Sequence, residues 1–137
     1  MSNASAQRTD LNTVARILLV EDNDTNRQLM SDYLAYCGYK VFTLAEGSTF
    51  FTAMKHFQPN LVLLDLKLPD IDGYTLLQQM QQELDWLHIP VIVVSAFAFQ
   101  SDQQRAMTLG ARRYFVKPVN LNALRQAIQE ELRSLSA

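Results

Sequence analysis

Short apolar runs alternate with longer polar or amphipathic stretches along this chain, and that alternation restricts its fold more than any other feature. The apolar runs lie at residues 17–20, 41–42, 61–64, 91–94 and 114–116. Those at 17–20, 61–64 and 91–94 show no alternation between apolar and polar residues. Uninterrupted apolar runs are typical of strands that are buried on both faces of a parallel sheet. The pattern therefore predicts five parallel strands.

The longer stretches between the runs predict helices. They span residues 24–37, 46–57, 73–84, 100–109 and 120–135, and most carry apolar residues at intervals of three and four. Gly38 and Gly110 follow two of them and predict helix ends, and Asn120 predicts an N-cap. Five strand–helix units need right-handed crossovers, which place helices on both faces of the sheet. We therefore expect a doubly wound α/β domain with a five-stranded parallel sheet.

The composition suits one compact domain. The chain has 137 residues, of which 48% are hydrophobic and 19% are charged. Its net charge of −2 provides no attraction to nucleic acid or to an anionic membrane. No apolar run approaches the roughly 18 residues that cross a bilayer. A single cysteine, Cys37, excludes an intramolecular disulfide, and we expect a cytoplasmic location.

The first residues show no strand or helix period. Within them, Ser2-Asn3-Ala4 is typical of residues left behind by an expression tag. We expect residues 1–13 to be disordered or vector-derived, and residues 14–137 to form the domain.

Polar and charged side chains follow four of the five predicted strands. Glu21 and Asp22 follow the first strand, Asp65 the third, Ser95 the fourth and Lys117 the fifth. In a doubly wound sheet the functional crevice lies at the carboxyl ends of the strands. The sequence therefore predicts that three carboxylates, one hydroxyl and one ammonium lie close together.

This set of groups indicates phosphoryl transfer. Neighbouring carboxylates repel one another and need a positive partner, and oxygen ligands favour a hard cation such as Mg²⁺. The same cation removes the repulsion between a carboxylate and a phosphoryl group. Lys117 could neutralise one phosphoryl oxygen, and Ser95 could donate a hydrogen bond to another. An aspartate would then be the nucleophile.

The chain resembles the receiver domains of two-component response regulators over about residues 15–135. The resemblance lies in the segments ILLVEDN, LVLLDLKLPDIDG, VIVVSA and GARRYFVKP, in that order. Asp65 follows Asp22 by 43 residues, and Ser95 follows Asp65 by 30. Tyr114 lies 19 residues after Ser95 and three before Lys117. The resemblance implies a flavodoxin-like (βα)5 fold with strand order 2-1-3-4-5.

The resemblance also implies a role for each site residue. Asp65 would accept the phosphoryl group from a phosphohistidine on a histidine kinase or a histidine phosphotransfer protein. Asp22, Asp65 and the backbone carbonyl of Lys67 would ligate Mg²⁺, and Glu21 would act mainly through a water molecule. Lys117 would bind a phosphoryl oxygen.

A conformational switch follows from the same resemblance. Phosphorylation would draw Ser95 toward the phosphoryl group, and Tyr114 would move inward, so that one of two states becomes more populated. The face formed by the fourth helix, the fifth strand and the fifth helix would read out the change, and a dimer could form through it. The Lys117–Pro118 peptide bond is expected to be cis. The chain would catalyse only its own phosphorylation and dephosphorylation, and would not otherwise be an enzyme.

Two interpretations of Lys67 stay open. Its side chain could tune the lifetime of the phosphoaspartate, or it could be a solvated lysine that contributes only its carbonyl. The sequence also does not distinguish a free-standing regulator from a receiver belonging to a hybrid kinase, and it names neither the cognate kinase nor the target.

Three other classes of function fit the sequence less well. A flavin- or nucleotide-binding domain needs a glycine- or hydroxyl-rich loop after the first strand, where this chain has Glu-Asp-Asn-Asp. A phosphoaspartate-forming hydrolase often carries a second acid two residues after its nucleophile, where this chain has Lys67. A receiver that serves only for binding typically lacks the acceptor or an acidic partner, and this chain has both.

Overall fold

Five parallel strands form one sheet at the centre of the molecule. The computed structural model describes residues 13–136. The strands are β1 Arg16–Val20, β2 Lys40–Leu44, β3 Leu61–Leu64, β4 Val91–Ser95 and β5 Arg113–Val116. All neighbouring strands pair in parallel, in the order β2-β1-β3-β4-β5. The predicted fold class and strand order are confirmed.

Helices cover both faces of this sheet. They are α1 Asp24–Tyr36, α2 Phe50–Phe57, α3 Gly73–Met80, α4 Gln100–Thr108 and α5 Leu121–Ser136. One apolar core contains residues of α1 and α5, and a second core on the opposite face contains residues of α2, α3 and α4. Within residues 13–136, none of these helices is both long enough and apolar enough to cross a bilayer.

The central strands supply side chains to both cores, which explains their uninterrupted apolar sequences. In β1, Leu18 and Val20 lie in the core under α2 to α4, whereas Ile17 and Leu19 lie in the core under α1 and α5. Each of these four side chains is at most 1% exposed. Burial of one such side chain contributes about 1.5–3 kcal/mol to folding.

The predicted helix ends at Gly38 and Gly110 and the predicted N-cap at Asn120 are confirmed. Gly38 and Gly110 follow α1 and α4 with φ angles of 99° and 110°, a region of backbone conformation that glycine adopts without strain. The side chain of Asn120 accepts a hydrogen bond from the backbone N–H of Ala123 at 3.0 Å, and so caps α5.

Two predicted helix boundaries are wrong. The second helix begins at Phe50 instead of residue 46, because the N–H groups of Gly47 and Ser48 donate to the carboxylate of Asp70, in a distant loop. The third helix ends at Met80 instead of residue 84. Hydrogen bonds between residues three apart tighten its last turn, and a short 3-10 helix, Leu84–Trp86, follows.

Trp86 packs beside α2, where its ring stacks on Phe51 with centroids 5.4 Å apart and planes 13° from parallel. The two rings line a cleft together with Arg16, Asn60 and Ile89. Those three residues lie at the amino ends of β1, β3 and β4. The cleft therefore lies at the edge of the sheet opposite to the one that the predicted site residues follow.

The predictions for the start of the chain fall on residues 1–12, which lie outside the part that the structure describes. The boundary between a segment 1–13 and a domain 14–137 stays a prediction.

Candidate functional site

Three acidic side chains meet at the carboxyl edge of the sheet, as the sequence predicts. Oxygens of Glu21, Asp22 and Asp65 lie within 4.8 Å of one another. β1 and β3 are adjacent, so the residues that follow them are neighbours in space. Glu21 and Asp65 are only 1% and 3% exposed, whereas Asp22 faces solvent.

Lys117 connects two of these acids. Its ammonium lies 2.7 Å from Oε1 of Glu21 and 2.8 Å from Oδ2 of Asp65. Burial lowers the pKa of Lys117, but hydrogen bonds and charge interactions with Asp65 and Glu21 outweigh it and leave the pKa above its ordinary value. Lys117 therefore keeps its charge and neutralises part of the acidic cluster.

Glu21 uses both of its carboxylate oxygens within the protein. Oε1 pairs with Lys117, and Oε2 accepts the backbone N–H of Asn23 at 3.0 Å. Burial raises the pKa of Glu21 overall, although the hydrogen bonds from Lys117 and Asn23 lower it. These two contacts fix the orientation of the Glu21 carboxylate within the acidic cluster.

Asp65 is held on both of its oxygens as well. Oδ2 pairs with Lys117, and Oδ1 accepts the backbone N–H of Lys67 at 3.1 Å. The side chain of Lys67 is exposed. Gly73 packs so closely that a Cβ there would lie 2.7 Å from the carbonyl oxygen of Asp65 and 2.5 Å from Cα of Leu66. The backbone around Asp65 thus depends on a residue without a side chain at position 73.

Ser95 and Tyr114 form a second group beside the acids. Ser95 is fully buried at the end of β4, and its hydroxyl accepts the backbone N–H of Phe97 at 3.2 Å. The hydroxyl of Tyr114 donates to the carbonyl of Phe97 at 2.7 Å. Burial raises the pKa of Tyr114, and a hydrogen bond with Ser95 opposes this rise. The two predicted switch residues therefore meet at the β4–α4 loop, whereas Glu21, Asp22, Asp65 and Lys117 form the acidic cluster.

The Lys117–Pro118 peptide bond is cis, as predicted.

Arg27 is a site residue that the sequence analysis did not assign. Its guanidinium donates to the backbone carbonyl of Glu21 at 2.9 Å and pairs with Asp24 at 2.6 Å. It thereby fixes the loop that presents the two acids after β1. The spacing of three between Asp24 and Arg27, at the start of a helix that follows the acids, is the signal that could have identified it.

Asp70 and Tyr74 were missed because their partners are far away in the chain. Asp70 accepts two N–H groups from the β2–α2 loop. The hydroxyl of Tyr74 donates to the backbone carbonyl of Asp102 in α4 at 3.2 Å, and the guanidinium of Arg105 lies 3.9 Å from the centre of its ring. No local spacing signals either contact.

The acidic cluster fits a divalent cation. Its three carboxylates exceed the single ammonium of Lys117, so the pocket keeps an excess of negative charge. All of the available side-chain ligands are oxygens, which hard cations such as Mg²⁺ prefer.

Comparisons with known proteins agree with this geometry. The family model of the response regulator receiver domain matches residues 17–129. The polar-differentiation response regulator DivK of Brucella ovis is 29% identical over 116 residues, which cover 85% of this chain and 94% of DivK. The probable transcriptional regulator ycf27 of Porphyridium aerugineum is 35% identical over 118 residues. That match covers 86% of this chain but 48% of the relative, so the chain spans about half the length of that protein.

Solved structures give the same result. A receiver domain protein from Methanospirillum hungatei superposes with a TM-score of 0.83 at 28% identity, over 90% of this chain and 98% of the other. The receiver domain of a Pseudomonas aeruginosa sensor histidine kinase, which has a magnesium ion coordinated in its active site cleft, gives a TM-score of 0.80 at 28% identity. That match covers 88% of this chain and 98% of the other. Fold, acidic cluster and family match together place this chain in the response regulator receiver domain family of two-component signalling proteins.

Proposed function

We propose that Asp65 is the phosphoacceptor of this receiver domain and that its donor is a phosphohistidine on a histidine kinase or a histidine phosphotransfer protein. One observation carries the proposal: a buried carboxylate at the end of β3 contacts the ammonium of Lys117 and lies within 4.8 Å of two further acids. Such a site places a nucleophilic carboxylate beside a fixed positive charge, and its excess of acids would hold the cation that lets an anionic phosphoryl group approach.

The metal in this proposal is Mg²⁺. Asp22, Asp65 and the backbone carbonyl of Lys67 would hold it, and Glu21 would act mainly through a water molecule, as the resemblance to receiver domains implies. When bound, Mg²⁺ supplies the positive charge that allows an anionic carboxylate to approach a phosphoryl group. The magnesium ion in the Pseudomonas aeruginosa receiver domain supports this assignment.

In the transfer step, a carboxylate oxygen of Asp65 would form a bond to phosphorus while the phosphorus–nitrogen bond of the donor histidine breaks. The electron pair of that bond returns to the imidazole nitrogen. Lys117 would neutralise one phosphoryl oxygen, and the hydroxyl of Ser95 would donate to another. The reaction would be confined to the domain's own phosphorylation and later dephosphorylation, so the domain would not be an enzyme for other substrates.

Phosphorylation would then change the population of two conformations. Ser95 would turn from the N–H of Phe97 toward the phosphoryl group. Tyr114, now hydrogen-bonded to the carbonyl of Phe97, would move inward into the space that Ser95 vacates. The face of α4, β5 and α5 would present the change to a protein partner or to a second copy of the domain. The domain would act in the cytoplasm on proteins, and its net charge of −2 provides no attraction to nucleic acid.

Intact-mass spectrometry tests the proposal. The protein is incubated with Mg²⁺ and a small acyl phosphate, and a gain of one phosphoryl group is expected. Asp65→Asn should abolish the gain, whereas the matched control Asp85→Asn, which changes an exposed acid of the 3-10 helix, should retain it. A gain that persists in Asp65→Asn would show that another residue is the acceptor.

A further inference from the structure

A carboxylate joins the two loops on one side of the acidic cluster. Asp70 lies in the β3–α3 loop, residues 65–72, directly downstream of the proposed phosphoacceptor. Its Oδ1 accepts the N–H of Gly47 at 2.9 Å, and its Oδ2 accepts the N–H of Ser48 at 2.7 Å. Both donors belong to the β2–α2 loop, residues 45–49. Hydrogen bonds to an ionised acceptor are about twice as strong as those between neutral groups.

The contact lies directly before α2. Thr49 is the N-cap of α2 and makes no side-chain capping bond, and the two N–H groups that donate to Asp70 belong to the residues just before it. Gly47 is buried against the same loop, since a Cβ at this position would lie 2.1 Å from Cγ2 of Ile71 and 3.4 Å from Cδ1 of Leu68. Apolar packing and two charge-assisted bonds therefore hold the loops together.

The β3–α3 loop is short and connected across its base. Lys67 and Asp72 form an antiparallel bridge, and the N–H of Gly73 donates to the carbonyl of Leu66 at 2.9 Å. Asp70 lies in the turn between the bridged residues. A displacement of Asp70 would therefore also shift the backbone of Lys67. Lys67 is the residue whose N–H contacts Asp65 and whose carbonyl is the proposed metal ligand.

We propose that Asp70 is a positioning residue for the phosphoryl-transfer site: its bonds to Gly47 and Ser48 fix the β3–α3 loop so that the backbone of Lys67 is held beside Asp65. The role in metal binding rests on the function proposed above. The low pKa of Asp70, caused chiefly by the N–H of Gly47, is consistent with a carboxylate that stays ionised in this contact.

Asp70→Asn tests the proposal with little change in size. The amide keeps one acceptor oxygen but places an NH₂ donor against the second N–H donor, so one of the two bonds is lost. We expect the Mg²⁺ dissociation constant, measured by isothermal titration calorimetry, to rise about tenfold, as for other outer contacts of a metal site. Without metal, hydrogen exchange at Gly47, Ser48 and Lys67 should become faster.

Two controls separate positioning from charge and from stability. Asp85→Asn removes the same charge at a distance from both loops and should leave Mg²⁺ affinity and exchange unchanged. Ile128→Val truncates a buried side chain in the core under α1 and α5 and lowers stability without touching either loop. If Ile128→Val weakened Mg²⁺ binding as much as Asp70→Asn, general destabilisation would explain the effect and the assignment of Asp70 would be wrong.

The two proposals fail in different ways. Wild-type protein that binds no Mg²⁺ and gains no phosphoryl group would contradict the proposed function. Wild-type protein that does both, beside an Asp70→Asn variant with unchanged affinity and unchanged exchange, would contradict the role of Asp70 alone.

Discussion

The ammonium of Lys117 lies 2.8 Å from Oδ2 of Asp65, across an intervening strand and 52 residues further along the chain. Because Asp65 is nearly inaccessible to solvent, the lysine is its main source of positive charge in the described protein. The pair therefore contributes to folding as well as to the proposed chemistry, and the two contributions can be measured separately.

Lys117→Met should destabilise the metal-free domain by about 2–3 kcal/mol, somewhat less than the roughly 3–5 kcal/mol lost on breaking a fully buried pair. The loss is smaller because the Lys117 side chain keeps 18% exposure. Mg²⁺ should stabilise this variant more than wild type, since the cation replaces the missing charge. Urea unfolding followed by circular dichroism gives both values. Lys55→Met, at an exposed position in α2, is the control; equal responses to Mg²⁺ would contradict the prediction.

Gly73→Ala should lower both stability and phosphoryl uptake. The new Cβ would meet backbone atoms of Asp65 and Leu66 at 2.5–2.8 Å, so the end of β3 must shift. Overpacking of this kind costs about 1–3 kcal/mol. Gly38→Ala is a matched control, because its φ of 99° strains the backbone but no atom lies within 4 Å of the added Cβ. It should destabilise the domain and leave the rate of phosphoryl uptake unchanged; a similar drop in rate would refute the local explanation.

Tyr74 and Arg105 should be energetically coupled. Tyr74 is 5% exposed, and Cζ of the Arg105 guanidinium lies 3.9 Å from the centre of its ring. A double-mutant cycle with Tyr74→Leu and Arg105→Gln should give a coupling energy of about 0.5–1 kcal/mol. Tyr74→Phe keeps the ring and loses only the bond to the carbonyl of Asp102, so its coupling with Arg105 should persist. Additive effects of the first two substitutions would show that the contact does not fix α4.

Lys67→Ala should retain phosphoryl uptake, because the N–H that contacts Asp65 belongs to the backbone. The half-life of the phosphoaspartate then distinguishes the two interpretations of this residue. A changed half-life, timed by intact mass after removal of the donor, would assign a role to the exposed side chain. Loss of uptake itself would show that the side chain takes part in the transfer.

The contribution of Asp70 to stability should disappear in acid. Hydrogen bonds from the Gly47 and Ser48 backbones hold its pKa below the ordinary 3.8. A group whose pKa is lower in the folded protein stabilises the fold above its unfolded pKa, and this contribution is lost as pH falls through the folded value. The difference in unfolding midpoint between wild type and Asp70→Asn should therefore be largest at pH 7 and should shrink as the pH falls below the ordinary pKa of 3.8. A difference independent of pH would exclude the ionised bonds as its source.

The sheet and the acidic cluster were predictable because each depends on a local pattern. Uninterrupted apolar runs identify strands buried on both faces, and the residue after each strand lies at a common edge. Glu21, Asp22, Asp65 and Lys117 meet there as predicted.

The missed features depend on contacts between distant segments. The start of α2 was predicted four residues too early. The spacing of apolar residues carries no information about the contact between Gly47 and Asp70, which are 23 residues apart. The role of Tyr74 had no local signal either, because its hydroxyl contacts Asp102 in α4, 28 residues away. Arg27 was closer to prediction, since its partner Asp24 is three residues away.

Trp86 is the sole tryptophan of the chain, and its stacking on Phe51 places it toward the edge opposite Asp65. Its fluorescence will therefore change when the domain denatures and separates the two rings, yet stay constant when ligands occupy the acidic cluster. One optical signal thus reports folding alone, and each variant can be titrated with Mg²⁺ while that emission monitors whether the domain remains intact.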